Sequence, residues 1–228
     1  MTLREAMEVL AAHRGTRVVI TTMSPITPWH QLSDTPLDFA YIPSAMGQAP
    51  ALGLGLALAQ PERGVIVVNG DGCMLMNLGS LVTLAAYPAD VYLVIIDNGL
   101  YEVTGGQPHA GAGRADFAAL ARGAGIQRVY SFDTAAAWGA GAAAALAGPG
   151  PVVVWLKVEG RRGQKTPKPP HPMAEQIQRL RGALGLCSSS PPLAPASGAR
   201  GERRSIPPHH PSSEDCQCLP RIRTSSSS

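Results

Sequence analysis

The chain has 228 residues, 45% of them hydrophobic, with 15% charged, 5% aromatic and a net charge of +3, a length that holds one or two domains and a sizeable core. Gly (25) and Pro (21) are abundant but follow no three-residue period, which excludes collagen, and no apolar run reaches about 18 residues, so no membrane span is expected. Residues 187–228 carry a net +2 and residues 1–186 only +1, so the body lacks the electrostatic footprint of a nucleic-acid binder. Met1–Glu8 is mixed in charge and helical in pattern, unlike a signal peptide. Leu3, Ala6, Met7 and Leu10 recur at helical spacing and predict a helix over 2–13. The β-branched run 17–22 predicts a strand, and 23–36, with three prolines, a loop. A short strand is expected over 38–42 and an Ala/Leu/Gly-rich buried helix over 46–59. Then come a strand over 64–69, a helix over 75–86, a strand over 91–96, a helix over 116–123 and a strand over 127–131. A helix over 134–147, a strand over 151–158 and a closing helix over 173–184 complete the order.

Wholly apolar strands separated by helices indicate an α/β fold: a three-layer, doubly wound, mostly parallel sheet with both faces covered. This architecture is expected of residues 1–186 as one domain. Residues 187–228 contain eleven Ser and seven Pro, no Val and no aromatic, and are expected to be a disordered tail. Three of the four cysteines (Cys187, Cys216, Cys218) lie in that segment and one, Cys73, in the body, so no disulfide framework is read and a reducing cytoplasmic compartment is expected. Cys216-x-Cys218 with His209 and His210 fits no common zinc spacing.

In doubly wound sheets ligands bind at the carboxyl ends of strands. After the strand 64–69 stands Gly70-Asp71-Gly72-Cys73, two glycines around a carboxylate on a turn into a helix. Glycine lets the backbone approach a ligand, and a helix start offers free N–H groups to an anion. A carboxylate there repels a bare phosphate, and makes sense if Mg²⁺ lies between them. The strand 91–96 ends in Asp97-Asn98-Gly99-Leu100-Tyr101, which also reads as a plain Asn-Gly turn. If the two strands are adjacent, Asp71 and Asn98 face one ion.

Gly70-Asp71-Gly72, then 24 residues, then Asp97-Asn98 resembles the thiamin diphosphate fingerprint, in which Gly-Asp-Gly is followed at such a distance by Asn-Asn. Asp97 departs from that pattern, while Asn98 keeps it. The resemblance implies that Asp71, Asn98 and the carbonyl of Leu100 hold Mg²⁺, which bridges to the diphosphate of thiamin diphosphate, with the Gly72–Cys73 backbone as its cradle. Ser44-Ala45-Met46-Gly47 resembles the segment preceding this site, where Met46 would touch the aminopyrimidine; Met46 also reads as core packing. The runs Gly70–Leu81 and Asp97–Pro108, with Tyr101 and Gly-Gly-Gln-Pro, look like sulfopyruvate decarboxylase β subunits and phosphonopyruvate decarboxylases. Implied cofactor contacts are therefore Ser44, Met46, Gly70, Asp71, Gly72, Cys73, Asn98, Leu100 and Tyr101.

The same resemblance implies non-oxidative decarboxylation of a small anionic 2-oxo acid to an aldehyde. Such enzymes also need a pyrimidine-binding domain that supplies an activating glutamate. The chain has room for one α/β domain, so a pyrimidine-binding partner subunit in a hetero-oligomer is expected, and Glu102 reads as a residue of the site's mouth. His30, His109 and the basic loop Arg161-Arg162-Gly-Gln-Lys165 are candidates for the substrate's anion, or solvated groups. A degenerate, non-catalytic cofactor-binding module and an acetolactate synthase-like carboligase remain alternatives. A Rossmann-type dinucleotide binder is weakened because no Gly-x-Gly-x-x-Gly follows the first strand; Gly53 and Gly55 read as packing glycines inside a helix.

Overall fold

The structure, a computed structural model, describes residues 1–186. The expected tail, 187–228, lies outside the described residues. Strands β1 (Val18–Thr21), β2 (Asp38–Ala40), β3 (Val65–Gly70), β4 (Val91–Asp97), β7 (Arg128–Phe132) and β8 (Val152–Lys157) form one parallel sheet in the order β2-β1-β3-β4-β8-β7. A two-stranded antiparallel ribbon, β5 (Leu100–Tyr101) and β6 (Gln107–Pro108), projects from the end of β4.

Successive strand side chains point to opposite faces, so each apolar strand feeds two cores. Val65, Val67, Leu93 and Ile95 pack with α3 (Ala49–Ala59), α5 (Gly79–Ala86), α6 (Phe117–Gly123) and α8 (Met173–Ala183). Ile66, Val68, Val94 and Ile96 pack on the other face with α1 (Leu3–His13) and α7 (Ala135–Leu146). This is the three-layer α/β fold expected. Thr2 and Glu5 form a capping box that starts α1. A Cβ on Gly53 would run into Val67 Cγ2, so this glycine seats α3 on β3, whereas Gly55 faces open space.

Three elements differ from the expectation, each for a local reason. The proline-rich loop contains a short helix, α2 (Ile26–His30), because prolines in a first turn cost no intrahelical hydrogen bond. Helix α3 starts at Ala49 rather than at residue 46. Gly47 has φ +85°, and a Cβ there would lie 2.9 Å from Asn77 Cβ. The helix expected over 75–86 is two: α4 (Asp71–Met76) begins directly off β3, and α5 follows a break at Asn77. The Asn77 side-chain N–H donates to the Gly47 carbonyl at 3.1 Å, competing with helical geometry and tying the Met46 loop to α4.

Candidate functional site

The strand order reverses between β1 and β3, and a cavity of about 380 Å³ opens at their carboxyl ends. Its walls are the loop after β1 (Met23–Pro25), Met46, the β3–α4 junction and the turn that follows β4. In the ladder Gly70 lies opposite Ile96, so the next residues, Asp71 and Asp97, stand side by side at the ends of two central strands.

Asp71 is only 2% exposed. Its Oδ1 accepts from the Gly72 N–H at 2.6 Å. Its Oδ2 accepts from the N–H groups of Asn98 (2.9 Å) and Gly99 (2.7 Å) and from His109 Nε2 (3.0 Å). Asn98 Oδ1 accepts from the Leu100 N–H at 2.9 Å, folding the turn back on itself. Asp97 Oδ2 accepts from Trp155 Nε1 at 2.9 Å. Burial, and after it the adjacent Asp71 carboxylate, push the Asp97 carboxyl up to about 6. Asp71, Asp97 and His109 each bring a potential ligand atom within 4.8 Å of the others.

Among the described residues, the cavity wall contains no lysine, arginine or histidine, yet it includes Asp71 and Glu102. A bare diphosphate would therefore meet only negative formal charge, and a divalent cation between them removes that repulsion. The available donors, a carboxylate, a side-chain amide oxygen and a main-chain carbonyl, are the hard oxygens that Mg²⁺ takes. Burial pushes the Cys73 thiol up, so it stays neutral beside them. Gly72 gives the cavity its shape: a Cβ there would lie 2.7 Å from Tyr101 Cε1, so only glycine lets that ring close over the start of α4. These residues fit a divalent metal paired with a diphosphate.

Of the residues named from sequence, Met46, Gly70, Asp71, Gly72, Cys73, Asn98, Leu100 and Tyr101 all line this cavity. Met46 stands at its rim, 44% exposed, and not in the core. Ser44 is half-buried and does not line it. His109 is not a solvated loop residue: it is buried against Asp71. Its spacing from Gly70-Asp71-Gly72 gives no signal for that contact, which the β5–β6 ribbon creates. His30 lines neither this cavity nor its neighbour, its ring nitrogens have no hydrogen-bond partner among the described residues, and burial lowers its basicity. Arg161 and Lys165 line an adjoining cavity of about 280 Å³ that shares Ser24, Asn98 and Glu102 with the first. Glu102 Oε1 accepts from the Arg161 N–H at 2.7 Å and anchors that loop at the mouth.

The family model of the thiamine pyrophosphate enzyme C-terminal TPP binding domain matches residues 27–156, a span that contains both turns. The chain belongs to this family. Its relatives include a phosphonopyruvate decarboxylase of Streptomyces viridochromogenes, 34% identical over 84% of this chain and 47% of that protein. A sulfopyruvate decarboxylase subunit beta of Methanothermobacter thermautotrophicus is 43% identical over 45% of this chain and 56% of that protein. The chain thus spans about half the length of these curated relatives. A solved thiamine diphosphate-dependent 4-hydroxybenzoylformate decarboxylase from Rhodococcus jostii superimposes with a TM-score of 0.58 at 22% identity, over 71% of this chain and 33% of that one, and so shares the TPP-domain fold. Among the described residues no helix is long and apolar enough to cross a membrane.

Proposed function

We propose that this chain is the diphosphate- and metal-binding half of a thiamin diphosphate-dependent 2-oxo-acid decarboxylase, acting on a small phosphonate- or sulfonate-bearing acid in the cytoplasm. The observation that carries the reading is the buried Asp71 carboxylate, set in an acid-lined cavity to which the described residues bring no formal cation. In this reading Asp71, Asn98 and the Leu100 carbonyl hold Mg²⁺, and the Gly70–Cys73 backbone cradles the diphosphate. Met46 and Tyr101 wall the cofactor, and Ser44 supports the Met46 loop from outside the cavity. When bound, thiamin diphosphate supplies the electron sink for loss of carbon dioxide. Tyr101 and the Glu102-anchored loop narrow the mouth and limit water. Arg161 and Lys165, in the adjoining cavity, suit the substrate's anionic end.

The names of the two relatives support the substrate class, and the designation of one of them as a beta subunit supports a second, pyrimidine-binding subunit. That partner would supply the activating glutamate. The test is aldehyde release from phosphonopyruvate and from sulfopyruvate, with thiamin diphosphate and Mg²⁺ present, by the chain alone and with a pyrimidine-binding subunit supplied in trans. Turnover only in the mixture is expected. Robust turnover by the chain alone contradicts the half-enzyme reading, and no turnover of either acid by an assembled complex contradicts the decarboxylase reading.

A further inference from the structure

The geometry points to His109 as a positioning residue that locks the Asp71 carboxylate for metal binding; this inference rests on the proposal that Asp71 is a metal ligand. His109 follows β6, and the ribbon returns it to the end of β3. Its main chain is held on both sides: its N–H donates to the Gly99 carbonyl at 3.3 Å, and its carbonyl accepts from the Ala112 N–H at 3.0 Å. The ring is fully buried and meets Tyr101 edge-on at 5.8 Å. Each ring nitrogen has one partner of opposite character. The Gly111 N–H donates to Nδ1 at 3.1 Å, so Nδ1 carries no proton. In the neutral ring the proton is then on Nε2, which donates to Asp71 Oδ2 at 3.0 Å.

The same bond pattern decides between two roles. Asp71, Asp97 and His109 are close enough to be read as a three-residue metal cluster. A neutral imidazole that ligates through Nε2 carries its proton on Nδ1, and here that proton would point at the Gly111 N–H, donor against donor. His109 is therefore a donor to the ligand and not a ligand itself. With three donors on Oδ2, the plane of the Asp71 carboxylate is set, and Oδ1, with a single bond to Gly72, is the oxygen left for a cation. Hydrogen-bonded ligands of this kind bind metal more tightly because their orientation is settled beforehand.

The experiment compares the full-length chain with His109→Leu and His109→Gln, titrating Mn²⁺ in saturating thiamin diphosphate and following free Mn²⁺ by electron paramagnetic resonance. Leu removes the donor, and Gln restores an N–H at a similar reach. His109→Leu is expected to weaken Mn²⁺ about 10- to 100-fold, the range for outer partners of metal ligands, and His109→Gln to recover most of it. Ring ¹⁵N spectra of the parent chain supply a readout independent of any variant: protonated Nε2 with bare Nδ1 is expected. Leu binding within about twofold of the parent, Gln losing as much as Leu, or a ring protonated on Nδ1 overturns the role while leaving the metal site standing. A parent chain that fails to take up Mn²⁺ overturns the site reading and the His109 role with it.

Discussion

Two buried carboxylates lie at opposite ends of this sheet, and they are solved differently. Asp38 opens β2 at the amino end, 6% exposed. Arg14 Nη1 meets its Oδ1 at 2.7 Å, Trp29 Nε1 donates at 2.9 Å and Ser33 Oγ at 2.6 Å, and Thr35 donates from both N–H and hydroxyl. Its charge is neutralised and its lone pairs are filled, with no ligand required. Asp71, at the carboxyl end, is equally well hydrogen-bonded, but its partners are three backbone N–H groups and the His109 ring, and a second carboxyl stands beside it. Asp38 completes a fold, whereas in the function we propose Asp71 takes its counter-charge from a cation outside the chain.

The same substitution at the two positions separates these roles. Asp38→Asn strands Arg14, whose side chain is 11% exposed, and turns an amide N–H donor toward a ring of donors. It is expected to lower unfolding free energy by about 3–5 kcal/mol in urea denaturation, and a loss below about 1 kcal/mol would dissolve the contrast. Asp71→Asn keeps one oxygen for the Asn98 and Gly99 N–H groups, turns its amide N–H toward the single Gly72 N–H, and removes a charge from beside Asp97. Its midpoint at pH 7.5 is expected to fall less than that of Asp38→Asn, while Mg²⁺-dependent affinity for thiamin diphosphate falls by on the order of a hundredfold.

The glycines around Asp71 sharpen the picture at smaller magnitude. Gly72→Ala drives a Cβ to 2.7 Å from Tyr101 Cε1, whereas a Cβ on Gly70 meets nothing within 4 Å. Gly72→Ala is expected to lose about 1–3 kcal/mol by chemical denaturation and to open the cavity mouth, with Gly70→Ala nearly silent on stability. Equal losses at both positions would show that backbone freedom, and not the Tyr101 contact, is what matters there.

The smallest effect is the pH signature of the extra carboxyl. In the metal-free chain Asp97 titrates at about 6, above the ordinary value of 3.8. The unfolded chain therefore ionises first, and stability from this group is fully present below about pH 4 and is lost as pH rises through about 6. Asp97→Asn, which can still accept from Trp155, is expected to melt higher than the parent at pH 7.5, with the gap closing by pH 4. A gap independent of pH would show that ionisation of Asp97, raised by burial and by Asp71, is not its source.

Much of the fold was legible because wholly apolar strands are a local signal: β3, β4 and β8 lie within a residue or two of their expected limits. Both turns of the site were legible for the same reason, since glycines and oxygen donors interrupt apolar runs at strand ends. What escaped depends on contacts between distant segments. The break at Asn77 comes from Gly47, thirty residues away, and the late start of α3 from the same pair. His109 reads as a loop histidine until the β5–β6 ribbon folds it onto Asp71, thirty-eight residues back. Ser44 fell within the right segment, but the cavity is met by its neighbour Met46 instead.

The claim that Asp71 awaits a divalent cation is tested most directly by calorimetric titration of thiamin diphosphate into the full chain, once in Mg²⁺ and once in EDTA. Saturable binding in Mg²⁺ and none in EDTA is the expected result. Binding of equal strength in both would contradict it, because the acid-lined cavity would then accept a diphosphate unaided.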